Sequence, residues 1–384
     1  MKSFLEQQYK LHADPFDGKV SNFPPMAGRE KEKKVWEQIL KQRAGQRGNS
    51  FNFIIGDYGT GKSFTLYKIF EDAKNKYPNI LPIFMPLLSE DTVRKFGLDF
   101  IQRIFGRFEL SDFKNALFKT RSQDFTYLKN ILYEPGIIFE KIKKGDQDAF
   151  TFLRGDKSFN DKEMKELGIV RKMNSTDRAK DYLLAFLYLL KKANINSLLL
   201  AIDEVEYIFS QMRGAKISQA FATLRGIFDL QQSHNKAIEL RETSNMIFFF
   251  GISEDGWRRL TVDLQKRERT EGGPIQPFMD RKDRTITLGP LSEKETKQLI
   301  VLRLKYDRIK NFSSKQPLIP FAEEFVKYVF KLTLGKPRDI VERCDYVLLD
   351  GLEQKIPLIT IDFAKKVYES HGLTTVPKES SKGK

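Results

Sequence analysis

Residues 51–56, FNFIIG, are apolar except for Asn52, and a segment with apolar positions at helical spacing begins six residues later. The run suits a strand buried on both faces, and the segment suits a helix over 62–77. The contrast repeats along the chain. Apolar runs predict strands at 80–86, 197–203, 245–252 and 285–288. Helical spacing predicts a helix at 178–193, where Leu183, Leu184, Phe186, Leu187 and Leu190 share a face, and another near 214–230. Strands alternating with helices imply an α/β fold with a doubly wound parallel sheet. From Ser292 onward the pattern is helical, opened by the capping box Ser292-x-x-Glu295. In FGLDFIQRIFGRFEL (96–110) the phenylalanines keep helical spacing, which predicts core packing rather than base stacking. TEGGPIQP (270–277) has no periodicity and reads as a mobile loop. There is no internal repeat.

At 384 residues the chain exceeds one ordinary core, so two or three domains are expected. Hydrophobic content of 40% with 12% aromatics indicates a globular core and excludes disorder as the dominant state. No apolar run approaches membrane-spanning length, and MKSFLEQQYKLHADPF carries no signal-peptide pattern, so a cytoplasmic protein without membrane contact is expected. The single cysteine, Cys344, excludes an internal disulfide and a cysteine zinc cluster, and His12, His234 and His371 stand far apart. A net charge of +15, spread along KQRAGQR (41–47), RKMNSTDRAK (171–180) and WRRLTVDLQKRER (257–269), favours a polyanionic partner, chiefly nucleic acid. Arg258, Arg259, Lys266, Arg267 and Arg269 are the segment expected to form part of a phosphate-backbone track.

The turn after residue 55 changes the picture most. Gly56, Asp57, Tyr58, Gly59, Thr60, Gly61, Lys62 and Ser63 fit G-x-x-x-x-G-K-[ST] at every fixed position, between a strand and a helix. Glycines let successive N–H groups turn toward a β-phosphate without Cβ clashes. Lys62 is the cation for the β/γ oxygens and Ser63 the hydroxyl for Mg²⁺, while the helix beginning there offers its positive end. The nucleotide-binding run extends through Phe64. In SLLLAIDEVE (197–206) five apolar residues precede Asp203 and Glu204, which would end the strand where open parallel sheets bind ligands. Asp203 is the metal-side carboxylate, and Glu204 is the general base for an attacking water.

With both motifs in place, the chain resembles an AAA+ ATPase and is most similar to the origin-recognition initiator clade and to BREX-type phage-exclusion ATP-binding proteins. The resemblance covers roughly residues 15–370. It implies a parallel-sheet P-loop core, a mainly helical insertion over about 90–180 and a C-terminal helical lid. The implied layout is an N-terminal segment 1–28, a core 29–288, a lid 289–371 and a disordered tail 372–384. PFDGKVSNFPPMAGREKEKKVWEQIL resembles the family opening, which assigns Gly28-Arg29-Glu30 to the adenine side. NMIFFFGIS resembles the sensor-1 strand with Ser253 at its tip, and LGKPRDIVERC the sensor-2 helix with Arg338 reaching the γ-phosphate. Arg281 is the first candidate for an arginine finger offered to a neighbouring subunit, with Arg284 second.

Two departures shape the expectation. The insertion before the strand at 197–203 is similar to the BREX group, and only HGLTTVPKESSKGK follows the lid, which argues against a dedicated DNA-recognition domain. The resemblance implies ATP and Mg²⁺ as ligands, a homo-oligomer, and DNA or a DNA-bound protein complex as partner. The leading expectation is an ATP-hydrolysing oligomeric switch acting on or with a nucleic-acid complex. The alternatives are a transposition-regulator-like ATPase forming filaments on DNA and a slow-turnover nucleotide-dependent signalling scaffold.

Overall fold

The computed structural model describes residues 3–17, 26–45, 48–87, 95–233, 235–264, 275–310, 312 and 316–373. The chain divides into two compact units. The larger contains Val35–Ile55 and Thr65–Thr287. Its sheet has five parallel strands, β1 (Ser50–Gly56), β2 (Ile80–Pro86), β3 (Ser197–Asp203), β4 (Asn245–Ile252) and β5 (Lys282–Leu288), in the order β2-β3-β4-β1-β5. Every residue of β1 and β3 is buried, as the unbroken apolar runs require of interior strands. Register pairs Phe51 with Phe248 and Phe53 with Phe250, so their rings meet at 4.9 and 5.3 Å. Asn52, the polar interruption in β1, donates from its amide to the Phe248 carbonyl at 3.1 Å and the Ser50 hydroxyl at 2.6 Å.

The insertion is helical throughout its described part. Helices Phe96–Phe105, Leu110–Ala116, Ser122–Ile131, Tyr133–Lys144, Gln147–Arg154 and Asp161–Glu166 precede the long helix Thr176–Lys192. The phenylalanines at 96–110 are buried, in agreement with their spacing, and a second aromatic cluster joins them: Phe113 stacks on Phe186 at 4.8 Å and on Phe139 at 5.8 Å. That stretch is not one helix, because the first ends at Phe105 with Gly106 as its cap and the next begins at Leu110.

Two expectations need correction. Residues 275–277, read as loop, belong to the helix Ile275–Met279; residues 270–274 lie outside the described residues. Pro277 stands in the first turn, where its missing N–H has no intrahelical partner to lose. The helix buries Ile275 and Phe278, whose ring lies 5.0 Å from both Phe51 and Phe221. β5 starts at Lys282 rather than 285, because the residues at 282–285 are exposed and carry no apolar signal.

The smaller unit contains Met1–Lys34, Gly56–Phe64 and Leu288–Lys384. Helices Glu293–Tyr306, Glu323–Thr333, Pro337–Glu353 and Ile361–Ser370 enclose a core that includes Ile300, Phe325, Ile340, Val347 and Tyr368. The Ser292–Glu295 capping box forms, with Ser292 N–H donating to Glu295 at 2.8 Å and Glu295 N–H donating to Ser292 at 3.3 Å. Tyr9, Leu11 and Phe16 complete this core, and the Tyr9 hydroxyl donates to the Ile356 carbonyl at 2.7 Å. Tyr9, Leu11 and Phe16 thus pack with the C-terminal helices. Residues 374–384, most of the expected tail, lie outside the described residues. Among the described residues no helix is long and apolar enough to cross a membrane.

Truncating Phe278 to Ala tests the packed helix at 275–279. The cavity should lower stability by about 3–5 kcal/mol in denaturant unfolding, whereas a mobile loop would show almost no loss.

Candidate functional site

The loop leaving β1 is shaped by close backbone approach. A Cβ on Gly56 would sit 2.5 Å from Thr60 Oγ1 and 2.8 Å from the Leu288 carbonyl, so the first position of the motif admits no side chain. Gly59 and Gly61 hold φ of +83° and +96°, left-handed values that glycine adopts without penalty. The Thr60 N–H and hydroxyl both donate to the Asp57 carbonyl, at 3.3 and 2.7 Å, closing the turn. Lys62 opens the helix Lys62–Lys76, and its ammonium donates to the Gly56 and Asp57 carbonyls at 2.9 and 3.2 Å. The cation therefore lies inside the loop with the positive helix end behind it. Ser63 and Phe64 stand in that first turn, and Ser63 is exposed.

Arg29 and Arg338 belong to the same unit as the loop. Arg29 is 7% exposed and donates from one nitrogen to the Thr60 carbonyl at 3.1 Å and the Gly289 carbonyl at 2.6 Å. Burial lowers its pKa, opposed by the carboxylates of Glu32 and Glu295. The Arg338 N–H donates to the Gly59 carbonyl at 3.2 Å, and its guanidinium lies 4.6 Å over the Tyr58 ring. Sequence reasoning gave Arg29 to the adenine side and offered no partner for Tyr58. Only the motif's order pointed toward them, because both contacts join segments far apart in the chain.

In the larger unit the C-terminal ends of β3 and β4 carry Asp203, Glu204 and Ser253. Asp203 is 8% exposed and accepts from the Glu204 N–H at 2.9 Å. A Cβ on Gly251 of β4 would come within 2.8 Å of the same carboxylate oxygen, so that strand yields room for Asp203. Glu204 has φ +59°, a conformation that strains a non-glycine residue and is common at working sites. Burial raises its pKa, and the like charges of Asp203 and Glu206 raise it further. Ser253 caps the helix Glu254–Arg258 by accepting from the Gly256 N–H at 3.1 Å.

The two finger candidates differ in their engagements. Arg281 forms a fork on Asp229, with Nη2 to Oδ2 at 2.8 Å and Nε to Oδ1 at 3.1 Å, and Nη1 donates to the Pro277 carbonyl at 2.9 Å. Arg284 is exposed on β5. Of the expected basic track, Arg258 pairs with Asp255 at 3.1 Å, Arg259 is exposed, and Lys266, Arg267 and Arg269 lie outside the described residues.

Comparison with known proteins bears on this arrangement. The family model described as BREX system ATP-binding protein BrxC/D matches residues 26–81 and 139–342. The solved structure of the Aeropyrum pernix ORC2 protein, in ADPNP and ADP complexes, is similar over 93% of this chain and 71% of its own, with a TM-score of 0.54 and 15% identity. The Aeropyrum pernix ORC1 protein in complex with DNA is similar over 93% of this chain and 68% of its own, with a TM-score of 0.52 and 9% identity. At such identities the likeness establishes the fold alone, the α/β fold with a parallel sheet described above. No curated protein sequence matches the chain.

Proposed function

Because the chain belongs to the family of BREX system ATP-binding proteins BrxC/D, we propose that it hydrolyses the ATP it binds and works as an ATP-controlled oligomeric switch on or with a nucleic-acid complex. The observation carrying hydrolysis, rather than binding alone, is Glu204, held at φ +59° beside the buried Asp203 with its pKa raised. A carboxylate kept in a strained backbone with its pKa raised by burial suits a general base.

In this reading the loop N–H groups and Lys62 hold the β- and γ-phosphates. Ser63 and Asp203 offer hard oxygen donors, the chemistry that Mg²⁺ takes. A magnesium ion taken by such donors would neutralise charge on the phosphate oxygens. Glu204 accepts a proton from the attacking water as the water oxygen bonds to the γ-phosphorus and the bond to ADP breaks. Ser253 accepts from Gly256 and keeps its own O–H able to donate, which suits sensing of the terminal phosphate. Arg338 meets that phosphate from the lid. For the finger in trans we favour Arg284 over Arg281, because Arg281 is already forked on Asp229. Nucleic acid as partner is supported by the net charge of +15.

Glu204→Gln should bind ATP and lose hydrolysis by about 10²–10⁴-fold; turnover at the parent rate would refute the assignment. Since the Glu204 pKa is raised, turnover should be full above it and fall as pH drops through it, above the ordinary carboxylate range. Glu206→Gln removes one like charge, so the acid limb should move to lower pH with the plateau kept.

Arg284→Ala should bind ATP normally and hydrolyse it roughly 10³-fold more slowly. Mixed with Glu204→Gln protein it should regain part of the activity, since one interface type then carries both intact groups. No gain in a mixture shown to co-assemble would exclude a role in trans.

Fluorescence anisotropy with labelled duplex DNA should show affinity rising with ATP and falling with salt, at a logarithmic slope of about −0.9 per neutralised phosphate. Undetectable binding at low salt in both nucleotide states would remove nucleic acid from the proposal.

A further inference from the structure

The contact between Tyr58 and Arg338 joins residues 280 apart, inside the phosphate loop and at the start of helix Pro337–Glu353. Its backbone part is independent of either side chain. The Arg338 N–H donates to the Gly59 carbonyl at 3.2 Å, and a Cβ on Gly59 would lie 3.2 Å from the Arg338 Cβ. The helix start is thereby fixed on the loop, but the long Arg338 side chain still has many rotamers. Tyr58 restricts them. The guanidinium carbon stands 4.6 Å from the Tyr58 ring centroid, and Nη1 donates to the Tyr58 hydroxyl. Tyr58 is itself 73% exposed, so its ring fills no core space.

Stacking occupies one face of a guanidinium and leaves donors along its edge for phosphate oxygens. We propose that Tyr58 is a positioning residue that holds the edge of Arg338 toward the terminal phosphate of a bound nucleoside triphosphate, and so sets the preference of the site for triphosphate over diphosphate. The inference rests on the reading of residues 56–64 as the ATP loop. A diphosphate lacks the group that an oriented Arg338 would meet, so its affinity is indifferent to Tyr58.

The test compares ATP and ADP affinities, by titration calorimetry, for the parent protein, Tyr58→Ala, Tyr58→Phe, Arg338→Ala, the Tyr58→Ala/Arg338→Ala pair and Lys62→Ala. Tyr58→Ala should weaken ATP about threefold to thirtyfold, the range of a cation–π contact, and leave ADP unchanged. Tyr58→Phe keeps the ring and should restore most of the preference. The double variant should be no weaker than Arg338→Ala alone. Melting temperatures should match the parent for both Tyr58 variants, since the side chain is exposed. A parental ATP/ADP ratio in Tyr58→Ala, a higher one, or additive losses in the double variant would each overturn the inference. If Lys62→Ala binds both nucleotides as the parent does, the loop assignment itself fails; if Lys62→Ala loses both while Tyr58→Ala keeps the parental ratio, only the role of Tyr58 fails.

Discussion

Two backbone carbonyls, Thr60 in the phosphate loop and Gly289 at the entry to the lid, accept from the same nitrogen of Arg29, a guanidinium that is almost wholly buried. Burying a cation is costly unless it is paired and hydrogen-bonded. Here the Glu32 carboxylate at 3.6 Å and the nearby Glu295 offset the loss of water, and an arginine keeps its charge where a lysine would shed it. Each charge-assisted bond contributes about 1.5–3 kcal/mol, enough to fix a loop rich in glycine that has little preference of its own. Everything placed on the loop inherits that fixation: the Lys62 ammonium, and the Gly59 carbonyl that receives Arg338.

The acidic end of β3 works by the opposite logic. There the backbone is strained rather than relaxed, with Glu204 in a left-handed conformation and its N–H turned onto the Asp203 carboxylate. Such strain lasts only where the surroundings over-determine it. Gly251 on β4 supplies part of that determination by leaving room for Asp203, and the Val205 N–H, which donates to the Gly251 carbonyl at 3.1 Å, supplies another. Burial then raises the Glu204 pKa, and the like charges of Asp203 and Glu206 add to it.

The sheet and the glycine-rich turn after β1 were legible because each rests on a local signal. Strands at 80–86, 197–203 and 245–252 are continuous apolar runs, and the motif residues sit at fixed spacing around them. What was illegible depends on pairing over distance or on weak local signals. The helix Ile275–Met279 hides behind glycines and a proline, and the Phe51, Phe53, Phe221 and Phe250 rings that Phe278 meets give it a reason to form. The exposed start of β5 has no hydrophobic pattern to detect. The fork of Arg281 on Asp229 spans 52 positions, and the stack of Arg338 on Tyr58 spans 280. No window of sequence contains either pair.

The same long reach constrains the order in which the molecule can assemble as it is made. Tyr9 donates to a carbonyl at Ile356, 347 positions later, and sits in a core built from helices beyond residue 288. At ribosomal speeds of about 5–20 residues per second, roughly 17–70 seconds separate the emergence of these two partners. For most of that interval Tyr9, Leu11 and Phe16 have no core to enter, because the residues of the larger unit, up to Thr287, are synthesised before the helices that enclose them. Residues 9–16 are therefore made well before the helices that bury them, and for that time they are apolar surface that a chaperone can hold.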